Sequence, residues 1–166
     1  EDLMSRVSYA MMNPGGEIEM TKAVREALNG LIEELCRETE AKKEDILEIT
    51  LVGNPVMHHL FLGINPTELG QAPFALATSE SLNLNSWEVG LTSLDNCKVY
   101  VLPCIAGHVG ADAAAVILSE TPNTSKENVL IIDVGTNAEL ILGNDKKVLA
   151  CSSPTGPAFE GAQISS

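Results

Sequence analysis

Basic residues are scarce in this chain: 10 Lys and Arg face 23 Asp and Glu, a formal net charge of −13 over 166 residues. Such a field repels polyanions and disfavours nucleic acid and anionic membranes as partners. Any phosphate site here must therefore rely on backbone dipoles and a metal ion. Cysteine is sparse as well. Cys36, Cys97, Cys104 and Cys151 are scattered, with no C-x-x-C pair of the kind that holds zinc or an iron-sulfur cluster. Isolated thiols in a core of ordinary size fit a reducing compartment, and each reads as a small buried hydrophobe, Cys151 included. No apolar run reaches the length that spans a bilayer. The start, Glu1-Asp2-Leu3-Met4, has neither an initiator methionine nor a signal-peptide pattern, so a cytoplasmic piece of a longer chain is expected. Trp87 is the sole tryptophan and is expected half buried, pinning its segment to the core.

What is present is 45% hydrophobic, enough for a substantial core in one domain or two unequal pieces. Residues 2–12 read as a short helix broken by Asn13-Pro14-Gly15-Gly16. From about 20 to 42, Ala23, Val24, Ala27, Leu28, Leu31, Ile32 and Leu35 recur at helical spacing. Lys22, Arg25, Glu26, Glu33, Glu34 and Arg37 fill the other side, which predicts a long amphipathic helix with a solvated charged face. Glu48 to Val52 predicts a strand, turned by Gly53-Asn54-Pro55 into a helix carrying Val56, Met57, Leu60 and Phe61. Gly53 and Asn54 are candidate ligand-lining residues, because strand-to-helix turns at the carboxyl end of a sheet are where α/β folds bind ligands. His58 and His59 are neighbours, point away from one another on that helix, and are read as structural. Residues 64–96, with Pro66, Gly70, Pro73 and few clear periods, read as an irregular excursion over the surface of the kind that serves partner recognition. Val99 to Leu102 predicts another strand. The small residues from Gly107 to Ala115 then open a helix with Asp112 in its first turn, where the helix dipole favours a carboxylate. Pro122 to Ser125 reads as a linker.

The most informative stretch is Val129 to Gly143, VLIIDVGTNAELILG. Val129 to Ile132 is a continuous apolar run, which suits a strand buried on both faces. Asp133 ends it, Gly135, Thr136 and Asn137 make a turn, and Leu140 to Leu142 lead back, so a hairpin is expected with a carboxylate just before its tip. Gly135 admits a close-lying ligand, successive N–H groups of such a turn cup phosphate, and Thr136 and Asn137 add side-chain hydrogen bonds. Gly143-Asn144-Asp145 is a second turn and Lys147 to Cys151 a third strand, so residues 129–151 form a three-stranded antiparallel meander. Pro157 starts a helix whose N-terminus points back at the loop, a second anion-friendly edge.

I-I-D-V-G-T-N-A-E-L-I-L-G followed by C-S-S-P-T-G-P-A-F-E-G-A resembles the phosphate hairpin and following helix of the actin, sugar-kinase and heat-shock-chaperone ATPase superfamily. More narrowly, these stretches, with L-V-G-N-P-V-M-H-H-L-F-L-G at 51–63 and L-P-C-I-A-G-H-V-G-A-D-A-A-A-V at 102–116, resemble the ATP-dependent reductive activators of corrinoid proteins. The resemblance implies an α/β, ribonuclease-H-like actin-type ATPase fold, as a fragment spanning most of the first lobe (1–124) and the start of the second (125–166). The helix opened by Gly107 to Ala115 would cross between the lobes. The first phosphate hairpin would lie upstream of residue 1 and the adenosine segment downstream of residue 166, so the isolated piece is expected to bind ATP weakly or not at all. The implied cofactors are ATP and Mg2+, with a [2Fe-2S] cluster only in the parent chain outside this fragment. Asp133 would be catalytic and would meet Mg2+ through water. Gly135, Thr136, Asn137, Glu139, Gly156 and Glu160 would hold the nucleotide, beside Gly53 and Asn54. The implied partner is the corrinoid protein of a methyltransferase system, with no nucleic acid and no membrane, and a homodimer is compatible with it. Ala138 departs from the family's glycine. A small-molecule kinase of the same superfamily and a non-hydrolysing partner-binding module are the alternative readings, the latter hinted at only by Ala138.

Overall fold

The computed structural model describes residues 3–135 and 137–155. Helix α1 (Leu3–Met12) stops where the Asn13 side chain and backbone N–H both donate to the Tyr9 carbonyl. Gly15, at φ 85, turns the chain directly into α2 (Gly16–Thr39). Helix α2 buries a narrower stripe than the expected one. Val24, Leu28, Ile32 and Cys36 turn inward, whereas Ala23, Ala27, Leu31 and Leu35 are exposed. The cause is the end of α3 (Pro55–Leu62), whose last carbonyls draw on donors beyond the helix, the Leu60 carbonyl accepting from the Gly63 N–H as well. The Leu60 carbonyl takes the Thr21 hydroxyl and the Phe61 carbonyl takes the Arg25 Nε–H, each at 2.9 Å. Arg25, expected on the solvated face, thus fixes the rotation of α2, and burial lowers the pKa of its guanidinium.

Strand β1 (Glu48–Leu51) runs parallel to β3 (Lys98–Val101), and β2 (Leu82–Asn85) pairs antiparallel on the far side of β3, giving the order β1-β3-β2. Strand β2 corrects the expectation for residues 64–96. That segment supplies an edge strand and two short 3₁₀ turns, Thr67–Gly70 and Ser86–Val89, and buries Leu69, Val89, Leu91 and Leu94. Its periodicity was illegible because four-residue strands and single turns are too short to establish one. Trp87 does not pin it, being 68% exposed. The anchors are the aliphatics that meet Phe61, Val99 and Val101 in the core, and Asn29, whose side chain reaches the Gly90 carbonyl and the Ser93 hydroxyl.

After β3, helix α4 (Ala111–Glu120) leads to β4 (Val129–Val134), β5 (Asn137–Gly143) and β6 (Val148–Pro154), an antiparallel meander in that order. Ile131 pairs with Ile141 and Ile141 with Ala150, and this face packs on Ala113, Val116 and Ile117 of α4. The opposite face is open among the described residues. Leu130 and Ile132 are 56% and 54% exposed, so β4 is covered on one side rather than on both. Cys151 lies on that outer face opposite Leu140 and is likewise exposed, not buried as expected. Among the described residues no helix is long and apolar enough to cross a membrane.

Candidate functional site

The two sheets meet where three helices begin. Asn54 caps α3, its side-chain oxygen accepting from the Met57 N–H at 2.9 Å with Pro55 in the first turn. The Gly53 carbonyl accepts from the Ala111 N–H at 2.9 Å, which ties the base of α4 to the β1–α3 turn. Gly110 makes that approach feasible, since a Cβ there would lie 2.6 Å from the Gly53 carbonyl oxygen and 2.7 Å from the Asn54 Cα. The face of α4 then packs on the second sheet, so one helix holds the β1–α3 turn beside the β4–β5 hairpin.

Between them opens a cleft of about 340 Å³ lined by Leu3, Arg6, Asn54, Asp112, Asp133, Gly135, Asn137 and Glu139. Five of the residues expected from sequence, Asn54, Asp133, Gly135, Asn137 and Glu139, therefore share one cavity although 79 positions separate Asn54 from Asp133. Gly53 stands behind the lining, holding α4. Thr136, Gly156 and Glu160, and the helix expected from Pro157, lie outside the described residues. Ala138 pairs with Val134 and Ser153 in the regular ladder.

The cleft is strongly acidic. Asp133 and Glu139 are direct cross-strand partners on one face, and Asp112 lines the same cavity from α4. Burial raises the pKa of the Glu139 carboxyl, the Ser152 hydroxyl bonded to it at 3.0 Å opposes this, and the Asp112 and Asp133 charges raise it further. Asp112 Oδ1 also accepts from the Ala113 N–H. At the hairpin tip the Gly135 N–H donates to the Asn137 carbonyl at 2.8 Å, so it is committed within the turn rather than free for phosphate as the turn reading expected. The Thr155 hydroxyl braces the same turn through the Gly135 carbonyl.

Sequence reasoning missed Leu3 and Arg6 as cleft residues. Both lie one turn apart on the same face of α1, and no local motif marks them. His58 and His59 belong elsewhere. Both are buried, His58 Nε2 lies 3.1 Å from the Leu102 carbonyl, and His59 Nε2 accepts from the Ala77 N–H. Burial lowers the pKa of both imidazoles.

Among the described residues no three His, Cys, Asp or Glu side chains converge into a metal cage. A cation seated beside Asp133 would take few protein ligands and keep water and phosphate oxygens, a coordination that suits Mg2+. The four cysteines do not fit a cluster site: Cys36, Cys97 and Cys104 are buried apart and Cys151 is exposed.

Residues 1–124 match the family described as the RACo middle region, and residues 127–166 match the C-terminal domain of RACo, the ASKHA domain. The corrinoid activation enzyme RamQ of Eubacterium limosum is 36% identical over 163 residues, 98% of this chain and 27% of that protein. The [Co(II) methylated amine-specific corrinoid protein] reductase of Methanosarcina barkeri is 41% identical over 73 residues, 44% of this chain and 14% of that one. A solved reductive activator for a corrinoid, iron-sulfur protein superposes with a TM-score of 0.92 at 35% identity, covering 99% of this chain and 26% of that chain. The chain thus spans about a quarter of the length of the reductive activators that it matches over nearly its whole extent.

Proposed function

The chain belongs to the RACo family of corrinoid reductive activators and carries part of its actin-like α/β fold, and from that premise we propose that it forms the nucleotide-gripping core of an ATP-dependent activator. In the whole protein this core serves to restore the reduced cobalt state of a corrinoid protein in a methyltransferase system. The division falls at 124/125, with a first-lobe region before it and the start of the second lobe after it. The observation that carries the reading is the single cleft in which Asn54 of one half faces Asp133, Gly135, Asn137 and Glu139 of the other. A nucleotide bound across such a cleft converts binding energy into a fixed relation between the halves, which is how binding becomes coupled to work on a partner.

In this arrangement Asp133 would orient the attacking water and, with Glu139 and Asp112 beside it, would hold a hydrated cation, and the side chains of Asn54 and Asn137 would meet the nucleotide. Mg2+, when bound, supplies positive charge that lets a polyphosphate enter an acidic cavity. The reducing electron would come from an iron-sulfur group, for which the four scattered cysteines of this chain offer no ligand set. The test uses the full-length protein with its corrinoid partner. Visible spectra should show conversion of cobalt(II) to cobalt(I) with reductant and MgATP together, and little with reductant alone. Equal conversion with and without nucleotide would overturn the reading.

A further inference from the structure

Among the described residues Arg6 is the one basic side chain lining the cleft, whose other ionisable groups there, Asp112, Asp133 and Glu139, are acidic. Among the described residues its guanidinium forms no ion pair and no hydrogen bond, although three carboxylates line the same cavity. Its position is set by packing. Val7, the next residue, is 1% exposed and packs with Val56, Leu60 and Leu69, while the Tyr9 hydroxyl donates to Glu19 at 2.7 Å and locks α1 against α2. Arg6 is therefore held at the cleft by a helix anchored through Val7, and among the described residues its charge is uncommitted.

Among the described residues, four backbone donors near the cleft are already used. The Met57 N–H is taken by Asn54, the Ala111 N–H by Gly53, the Ala113 N–H by Asp112, and the Gly135 N–H by Asn137. A nucleoside polyphosphate entering this cavity thus finds few free backbone donors and three like charges. Resting on the nucleotide reading given above, we propose that Arg6 is the phosphate-contacting cation of the cleft, reaching from α1 of the first half to the terminal phosphates held over the β4–β5 hairpin. A planar guanidinium binds two phosphate oxygens at once and keeps its charge whatever the local field. It also offsets part of the carboxylate repulsion, so that one bound cation is sufficient for the remainder. This makes Arg6 a specificity residue for polyphosphate over monophosphate.

The full-length protein, with Arg6→Gln and Arg6→Lys variants, is titrated with MgATP and with AMP by calorimetry. The expected result is that Arg6→Gln loses about tenfold or more in MgATP affinity, the worth of one charged hydrogen-bonded contact, while AMP affinity stays within about twofold. Arg6→Lys should recover part of the loss, because it restores charge without the bidentate geometry. Thermal melts that overlay wild type separate this from misfolding. Equal losses for MgATP and AMP, or an unchanged MgATP affinity, would overturn the role of Arg6 and leave the nucleotide cleft intact. Failure of the wild type to bind MgATP would sink the nucleotide reading itself, and the proposal with it.

Discussion

Replacing Asp133 with Asn should separate activity from stability. Asp133 and Glu139 face each other directly across β4 and β5, and like charges so placed cost roughly 0.2 to 1 kcal/mol. Glu139 is only partly buried, so solvent screening keeps the expected gain from Asp133→Asn in the lower part of that range. The pH dependence has a definite sign. Glu139 is raised above its ordinary value of 4.5, so its contribution to stability is full below 4.5 and is lost as pH rises through the raised value. Asp133→Asn should narrow that window and Glu139→Gln should remove it. The double variant should be less stable than the sum of the two single gains, because each substitution relieves the same repulsion. Activity should move the other way, falling roughly a hundredfold or more as the charge that orients water and cation disappears. Denaturant unfolding across the acid-to-neutral range and ATP hydrolysis with the corrinoid partner are the two assays. If Asp133→Asn unfolded far below wild type while its folded fraction hydrolysed ATP normally, Asp133 would be structural and the cleft would lose its centre.

Gly110→Ala should destabilise the protein by about 1 to 3 kcal/mol, because the added Cβ meets backbone of the β1–α3 turn at 2.6 to 2.7 Å and neither side can yield cheaply; urea unfolding measures it. Thiol alkylation at neutral pH should label exposed Cys151 first and Cys104 last, since burial pushes the Cys104 thiol up to about 11; peptide mass mapping over time gives the order. His58 and His59 have pKa values lowered below the ordinary 6.5, so the stability they confer is full above 6.5 and is lost as pH falls through their lowered values. A His59→Gln variant should unfold with a shallower acid slope, and an unchanged slope would refute the assignment.

The elements that could be read from sequence were those whose signals are local. The meander was legible because two turns punctuate three apolar runs, and α3 because Asn54 and Pro55 announce its start. The rotation of α2 was not legible, since it depends on which carbonyls α3 leaves unpaired 36 residues away. Leu31 and Leu35 have the same local spacing as Leu28 and Ile32, and only Arg25 reaching Phe61 decides between the stripes. The same limit explains β4. Four consecutive aliphatics predict burial on both faces, yet among the described residues only α4 covers them. In the cleft, the residues of the hairpin carried a motif, whereas Arg6 reaches the site only through the packing of Val7 and has none.

The placement of charge in this cleft follows from how its walls are joined. Ala113 of α4 packs on Ile141 of the second sheet and both are fully buried, so this contact between the two halves involves no ionised group, while the Ala111 N–H ties α4 to the β1–α3 turn through the Gly53 carbonyl. The side chains lining the cavity keep local hydrogen bonds, Asn54 to the Met57 N–H, Asp112 to the Ala113 N–H and Glu139 to the Ser152 hydroxyl, while carboxylates of like charge share the same cavity. Asp133 opposes Glu139, Asp112 adds to the same field, and Arg6 pairs with none of them. On the proposal that the cleft takes a cation with a polyphosphate, the cation would screen the carboxylates and the phosphate would engage the arginine. Arg6 stands on the first half and Asp133 on the second, so on that proposal binding would favour the spacing of the halves at which both reach the same phosphate group, and this would couple nucleotide to domain arrangement.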